Sequence, residues 1–273
     1  MLSSEQIHEF QESVWEYYHA HARSMPWRDD PTPYHVLVSE LMLQQTQVGR
    51  VLPKYQEFMR RFPTVDALAQ APLADVLGAW SGLGYNRRAK FLHAAAQKVV
   101  EEYAGTVPDT FEALVALPGV GKNTAGAVLA YAFNQPVVFI ETNVRTVFFY
   151  HFFADRTDVD DKELLPLIAQ TRDDEHPREW YWALMDYGTY LKTLGSNIAQ
   201  SRHYARQSKF EGSRRQVRGK ILKALVAGPV PLTELTALVG DERLESVVND
   251  LMREGFVEQN NSQLRLTGGL ELP

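Results

Sequence analysis

The 273-residue sequence contains no cysteine. Disulfides, thiolate zinc sites and thiolate-held iron–sulfur clusters are therefore excluded. No apolar stretch is long enough to cross a bilayer. The opening residues, Met1-Leu2-Ser3-Ser4-Glu5, lack the basic and then apolar pattern of a secretory signal. These absences predict a cytoplasmic protein without a membrane partner, nucleoid-associated if bacterial. An excess of basic charge is missing too: the net charge is −6. That is a weak argument against a polyanionic partner, because binding depends on local patches.

What is present is ordinary for a globular protein. Hydrophobic residues make up 45% and charged residues 23% of the chain, and the length suits one or two domains with a sizeable core.

The most informative stretch is Leu117-Pro118-Gly119-Val120-Gly121-Lys122. Ahead of it, Thr110 stands as an N-cap for a short helical pattern. Behind it, Asn123 to Phe133 is small and apolar, as a tightly packed helix is. Pro118 ends the first helix and the two glycines permit a tight hairpin. Glycine amides next to a helix N-terminus make a phosphate clamp. A bare Gly-x-Gly would favour a plain helix hairpin with a glycine turn. The longer string, with Lys122 and Thr124, favours a grip on nucleic-acid backbone, which positions a protein without reading sequence.

Along the rest of the chain, helical spacing predicts helices over residues 4–23, 51–62, 65–79, 90–104, 161–171 and 178–194. A further buried helix carries His35 to Val48, with Glu40 and three glutamines interrupting its apolar surface. A buried carboxyl costs several kcal/mol unless paired or neutralised, and burial raises its pKa, which suits it to donate a proton. The alternative places Glu40 on the exposed face of an amphipathic helix. Gly82-Leu83-Gly84-Tyr85 is a glycine turn whose tyrosine offers a flat ring for stacking between bases; the plainer reading is a tyrosine closing a turn. Gln135 to Ile140 is a short apolar run that reads as a strand or as a lead-in to a helix. Glu141 stands at that helix's entrance, where the dipole favours its ionised form, or it is a simple capping carboxylate.

Residues 201–220 hold seven Lys or Arg and one acid. They read as a linker, or as a local basic patch that offsets the acidic remainder. Three helical patterns and a hairpin over residues 214–268 resemble a winged helix. The acidic balance of the third helix argues against major-groove reading.

Together, Pro26-Trp27-Arg28, Ser39 to Val48, Gly82 to Tyr85, Leu117 to Ala125 and Asn143-Val144-Arg145 resemble the MutY-type adenine DNA glycosylases. These lie in the helix-hairpin-helix superfamily that also includes endonuclease III. The match runs from about Trp15 to Gly188. The resemblance implies an all-α catalytic core of two subdomains over residues 1–200, with DNA in the cleft between them. A basic linker (201–213) and a winged-helix-like α+β module (214–273) follow. It implies that a base is flipped out of the duplex before excision. Glu40 matches the acid that protonates adenine N7. Glu141 matches the carboxylate that stabilises charge on the sugar. Gln44 and Gln45 match helix residues that contact DNA or the estranged base, and Tyr85 the wedge. Leu117, Gly119, Val120, Gly121, Lys122, Asn123 and Thr124 match the hairpin that grips the backbone.

The implied activity is removal of mispaired adenine, opposite 8-oxoguanine or guanine, by a monomer acting on double-stranded DNA. Excision of uracil or thymine opposite guanine, and non-catalytic lesion binding, are the alternatives. Several departures bear on this. The family pattern has Asp and Gly where Glu141 and Thr142 stand. Lys192, Ala199, Arg202 and Ser208 occupy the spacing of the family's cluster cysteines, so no metal and no cofactor is expected. The family's C-terminal 8-oxoguanine-reading domain gives way to the winged-helix-like module. Bifunctional relatives carry a nucleophilic lysine where Asn123 stands, so water is the expected nucleophile and an abasic site the product.

Overall fold

A computed structural model describes residues 1–195, 197–202, 208–260 and 262–267. The chain divides into two compact units. One comprises Met1–Glu40, Val107–Ala116 and Val120–Arg206; the other comprises Leu41–Thr106, Leu117–Gly119 and Gln207–Pro273. The division falls inside the Pro33–Leu43 helix, directly after Glu40, and inside the glycine hairpin. The C-terminal residues thus pack with 41–106, a grouping that the linear order of the sequence does not display.

In the first unit the Ser4–His21 helix is started by a capping box, in which Ser3 and Gln6 satisfy each other's backbone amides. It buries Phe10 and Val14, and the Phe10 ring lies 5.1 Å from Phe148 and 6.0 Å from Trp180. The Thr142–Phe152 and Pro177–Leu194 helices form the centre of this unit. Their close approach depends on Gly188, where a Cβ would come within 2.4 Å of the Asn143 carbonyl oxygen. The Lys122–Tyr131 helix is buried from Thr124 onward, and its Gly126 admits Phe139, whose Cβ lies 2.6 Å from where a side chain would begin.

Residues 137–140 form no strand. The Tyr181 hydroxyl instead donates to the Val137 carbonyl at 2.9 Å and accepts from the Phe139 amide at 3.3 Å, doing for this extended segment what a neighbouring strand would do.

The second unit contains the helices Val48–Arg61, Val65–Gln70, Leu73–Trp80 and Arg87–Tyr103. The pattern read as one helix over 65–79 is two, because Pro72 lacks an amide to continue the ladder. Helices Arg214–Val226, Leu232–Val239 and Leu244–Arg253 complete the unit, with a small antiparallel sheet. In that sheet Gln263–Leu266 lies between Val257–Asn260 and the two-residue strand Val230–Pro231. Phe256 is buried under the cations of Arg218 and Lys90, at 4.7 and 5.1 Å from its ring centroid.

Candidate active site and nucleic-acid interface

Glu40 lies near the end of a helix that buries Tyr34, Val36, Leu37, Val38, Ser39, Leu41 and Met42. Apolar on almost every side, that helix carries its one acid into the protein. Glu141 occupies the N-cap position of the Thr142–Phe152 helix with extended backbone, and its side chain makes no capping hydrogen bond. The carboxylate is therefore not tied to the amides further into the helix, although the Thr142 amide at the helix start acts on it.

The two acids belong to the same unit and act on each other. Both keep some accessible surface, but protein surrounds each carboxyl closely enough that lost hydration is the leading influence. Burial, and then the Glu141 charge, push Glu40 up to about 8 against the pull of Arg28. Burial also raises Glu141, but Arg145, the Thr142 amide and Lys192 oppose it. Glu40 thus holds its proton near neutrality, while Glu141 has two cations and an amide beside it that favour its ionised form. Such a pair can protonate a leaving group and stabilise a developing cation.

The cations around the pair are themselves positioned. Arg28 donates two parallel hydrogen bonds to buried Asp186, at 2.9 and 2.8 Å, and its guanidinium lies 5.4 Å from the Trp182 ring centroid. Arg23 adds a side-chain bond of 2.7 Å and a backbone bond of 3.0 Å to the same carboxylate. Arg145 is held by Asp161 at 2.8 and 2.6 Å. Lys192 donates to the Asn143 side-chain oxygen, and Asn143 in turn donates to the Met185 carbonyl and the Thr189 hydroxyl. Tyr131 is buried; first burial and then the two glutamates lift its phenol well above its usual range, so it stays neutral. Sequence reasoning assigned no role to Tyr131, Asp186 or the Lys192 amine. The one local signal was Asp186, an acid set directly among Leu184, Met185 and Tyr187 on its helix.

The second unit holds the expected contact residues. Gln44 and Gln45 follow the Glu40 helix; Gln45 is exposed with φ of 55°, and the Gln44 amide reaches the Gly119 carbonyl at 3.5 Å. Buried Arg88 ties this turn down, donating to the carbonyls of Leu41, Met42 and Gln44 at 2.8, 2.7 and 2.6 Å. The same guanidinium reaches Gly84 O at 3.1 Å, so one side chain braces both the glutamine turn and the Tyr85 turn. Tyr85 has a left-handed backbone, φ 48°, and is half-buried.

Along the hairpin, Gly119 adopts φ of 78°, and a Cβ there would meet Phe91 Cβ at 2.6 Å. Leu117, Val120 and Thr124 are buried and anchor the turn. Gly121, Lys122 and Asn123 are exposed at the start of the following helix, where the first backbone amides have no partner within the helix.

Residues 38–168 match the model of the HhH-GPD superfamily base excision DNA repair proteins. The adenine DNA glycosylase of Mycobacterium tuberculosis is 36% identical over 268 residues, spanning 86% of this chain and 87% of that protein. The chain belongs to this superfamily, among its adenine DNA glycosylases. In three dimensions it is similar to a thermostable thymine-DNA glycosylase, with a TM-score of 0.62 and 25% identity over 67% of this chain and 86% of the other. An endonuclease III trapped as a covalent intermediate with DNA shares the fold, with a TM-score of 0.60 and 21% identity over 70% of this chain and 88% of the other.

Members of the family that carry an iron–sulfur cluster hold it by four cysteines, and the residues at that spacing here do not fit one. The Lys192 amine is committed to Asn143, and Ala199 has no donor atom. Arg202 pairs with Asp158 and Asp160 at 2.9 and 3.0 Å, and Ser208 has only a hydroxyl to offer. Segment 197–202 is stitched to its unit by other means. Asn197 donates to Thr146 O at 3.0 Å, Gln200 donates to Phe153 O at 3.0 Å, and the backbones of Val159 and 200–202 exchange hydrogen bonds.

Proposed function

We propose that this protein is a monofunctional DNA glycosylase that removes mispaired adenine, opposite 8-oxoguanine or guanine, from duplex DNA and acts as a monomer. The observation that carries the reading is that Glu40, on a helix that is apolar almost all round, and Glu141, at a helix N-cap of the same unit, act on each other, with Glu40 held protonated near neutrality.

The target nucleotide leaves the base stack, because its glycosidic bond is inaccessible within the duplex. Glu40 donates its proton to adenine N7, which turns the base into a good leaving group. As the bond from C1′ to N9 breaks, its electron pair goes to the base and positive charge grows on the sugar. The Glu141 carboxylate stabilises that charge; fixed electrostatic stabilisation of this kind supplies roughly 3–4 kcal/mol per group. Water adds to C1′ and loses a proton, leaving an abasic site. Asn123 has no amine with which to form a Schiff base, which supports hydrolysis without strand cleavage. Gly121, Lys122 and Asn123 clamp a phosphate, Tyr85 fills the vacated stack, and Gln44 and Gln45 face the estranged base.

Glu141 is one methylene longer than the family's Asp, and a misplacement of about 1 Å costs about a hundredfold in rate. Lys192, acting on Glu141 and bonded to Asn143 within the same helix start, supports an altered but ordered carboxylate position.

The test uses duplexes carrying A opposite 8-oxoguanine, A opposite G, and U or T opposite G, followed by alkaline cleavage of abasic sites. Breaks confined to the adenine strands are expected. Breaks confined to the U or T duplexes would assign the enzyme to pyrimidine excision, and binding without breaks would make it a lesion-binding protein.

A further inference from the structure

The turn that presents Tyr85 is built to be rigid. Gly82, Gly84 and Tyr85 have φ of 98°, 75° and 48°. Trp80 Nε1 donates to Gly84 O at 3.1 Å, while Arg88 donates to the carbonyls of Leu83 and Gly84 at 3.4 and 3.1 Å.

Two further arginines of the same unit meet this turn at its two ends. Arg50 donates to the Gly82 carbonyl. Arg215, the second residue of the Arg214–Val226 helix, donates from Nη1 to the Tyr85 hydroxyl at 2.5 Å, and its guanidinium carbon lies 5.6 Å from the Tyr85 ring centroid. Its Nη2 donates to Ser208 O at 2.6 Å and Ser208 Oγ at 3.3 Å.

The ion pairs of the neighbouring arginines set these two apart. Arg214 is paired with Asp250, Arg218 and Arg87 with Glu254, Arg243 with Asp241, and Arg253 with Asp250. Arg50 and Arg215 meet only neutral oxygens, with no carboxylate at ion-pair distance among the described residues. Arg88 also meets only neutral oxygens but is buried inside the turn; Arg50 and Arg215 are the arginines that the neighbouring acids leave uncompensated at its two ends, beside the wedge tyrosine.

A guanidinium bonded to neutral oxygens gains a stronger, charge-assisted bond when a phosphate replaces them. Forked donors match phosphate geometry better than an ammonium does.

We infer that the C-terminal module is part of the DNA-binding surface through Arg215, which with Arg50 grips backbone phosphates on either side of the nucleotide that Tyr85 displaces. The contact runs through the first turn of the Arg214–Val226 helix, not through the acidic Leu244–Arg253 helix where a winged helix would be expected to read a groove. This rests on the assignment of the chain as a DNA glycosylase with Tyr85 as its wedge.

The test measures affinity for a labelled duplex by fluorescence anisotropy over a salt series, for wild type, R50Q, R215Q, R215K, the R50Q/R215Q double variant and R214Q. Thermal stability and single-turnover adenine excision are recorded alongside. Each phosphate contact contributes about 0.9 to the slope of log affinity against log salt. R50Q and R215Q are each expected to reduce the slope by about 0.9, and the double variant by about 1.8. R215K, which keeps the charge, and R214Q, whose partner is Asp250, are expected to keep the wild-type slope. A wild-type slope in R215Q overturns the inference whether or not stability falls, because the slope does not depend on the folded fraction. Loss of slope in R215K equal to that in R215Q also overturns it, since the bonds to Tyr85 and Ser208 would then matter and the charge would not. Failure of the underlying reading is seen separately, as a wild-type protein that binds but leaves the adenine strand intact.

Discussion

Asp186 and Arg28, 158 positions apart in the chain, are joined by two parallel hydrogen bonds, and the Arg28 charge so fixed acts on Glu40. The carboxylate is buried, and although burial alone would raise it, the bonds from Arg28 and Arg23 hold Asp186 below the usual range. Asp186→Asn therefore leaves two cations short of a partner inside the protein. Removing one member of a buried pair costs on the order of 3 kcal/mol. Urea denaturation at neutral pH is expected to show a loss of that size. Because the folded Asp186 value is depressed, its contribution is present above the unfolded carboxyl range and lost as pH falls through the folded value. The difference between variant and wild type should thus shrink in acid.

Glu40→Gln should separate chemistry from stability. A general acid contributes about 10²–10⁴-fold, and excision is expected to fall by that much while duplex affinity persists. The folded Glu40 value lies above the unfolded one, so the native state binds the extra proton between 4.5 and about 8. Wild-type stability then declines relative to the variant as pH rises through that window, and no further above it. The melting temperature of Glu40→Gln should therefore exceed that of wild type, with the gap wider at pH 8 than at pH 5. An equal gap at both values would mean that Glu40 does not titrate differently on folding.

Lys192 lowers the proton affinity of Glu141 from within the same unit, and burial in turn lowers that of Lys192 itself. Lys192→Met removes that pull, so Glu141 becomes harder to ionise. The acid limb of the single-turnover rate profile is expected to move to higher pH, with the loss greater on the acid side than on the alkaline side. Lys192→Arg should restore much of the wild-type profile. A uniform loss at all pH values would point to disturbed packing against Asn143 instead.

Much of this architecture is legible from local pattern. The helical spacing of Phe10 and Val14 announces the first helix. Glu40 is different. Its helix is apolar almost all round, so a 3.6-residue period names no outer face, and the pattern alone made exposure the natural reading. Residues 137–140 have strand composition, but their partner is the hydroxyl of Tyr181, far along the chain. Asp186 acquires its role only from Arg28 and Arg23, and Arg215 only from Tyr85, and long-range pairings of this kind leave no periodic trace. The glycine hairpin was readable because its requirement is local: Gly119 needs a positive φ and room beside Phe91.

Asn123 offers a gain-of-function test of the hydrolytic assignment. It is exposed at the first turn of the Lys122–Tyr131 helix, beside a hairpin that any bound backbone would have to approach. Asn123→Lys places a primary amine one residue beyond Lys122 without disturbing a buried contact, so folding should be unaffected. An amine near the sugar competes with water for C1′: its lone pair forms the carbon–nitrogen bond as the C1′–N9 pair goes to adenine, the nitrogen loses a proton, and the C1′–O4′ bond then breaks with a proton passing to O4′, giving a Schiff base that borohydride reduces to a stable amine. The variant is expected to show a borohydride-dependent covalent complex with adenine-containing duplex, visible as a shifted band on a denaturing gel. Wild type should show none, and most turnover in the variant should still end in an alkali-labile abasic site. A trapped complex already present in wild type would place a nucleophilic amine elsewhere in the site and overturn the assignment of water as the nucleophile.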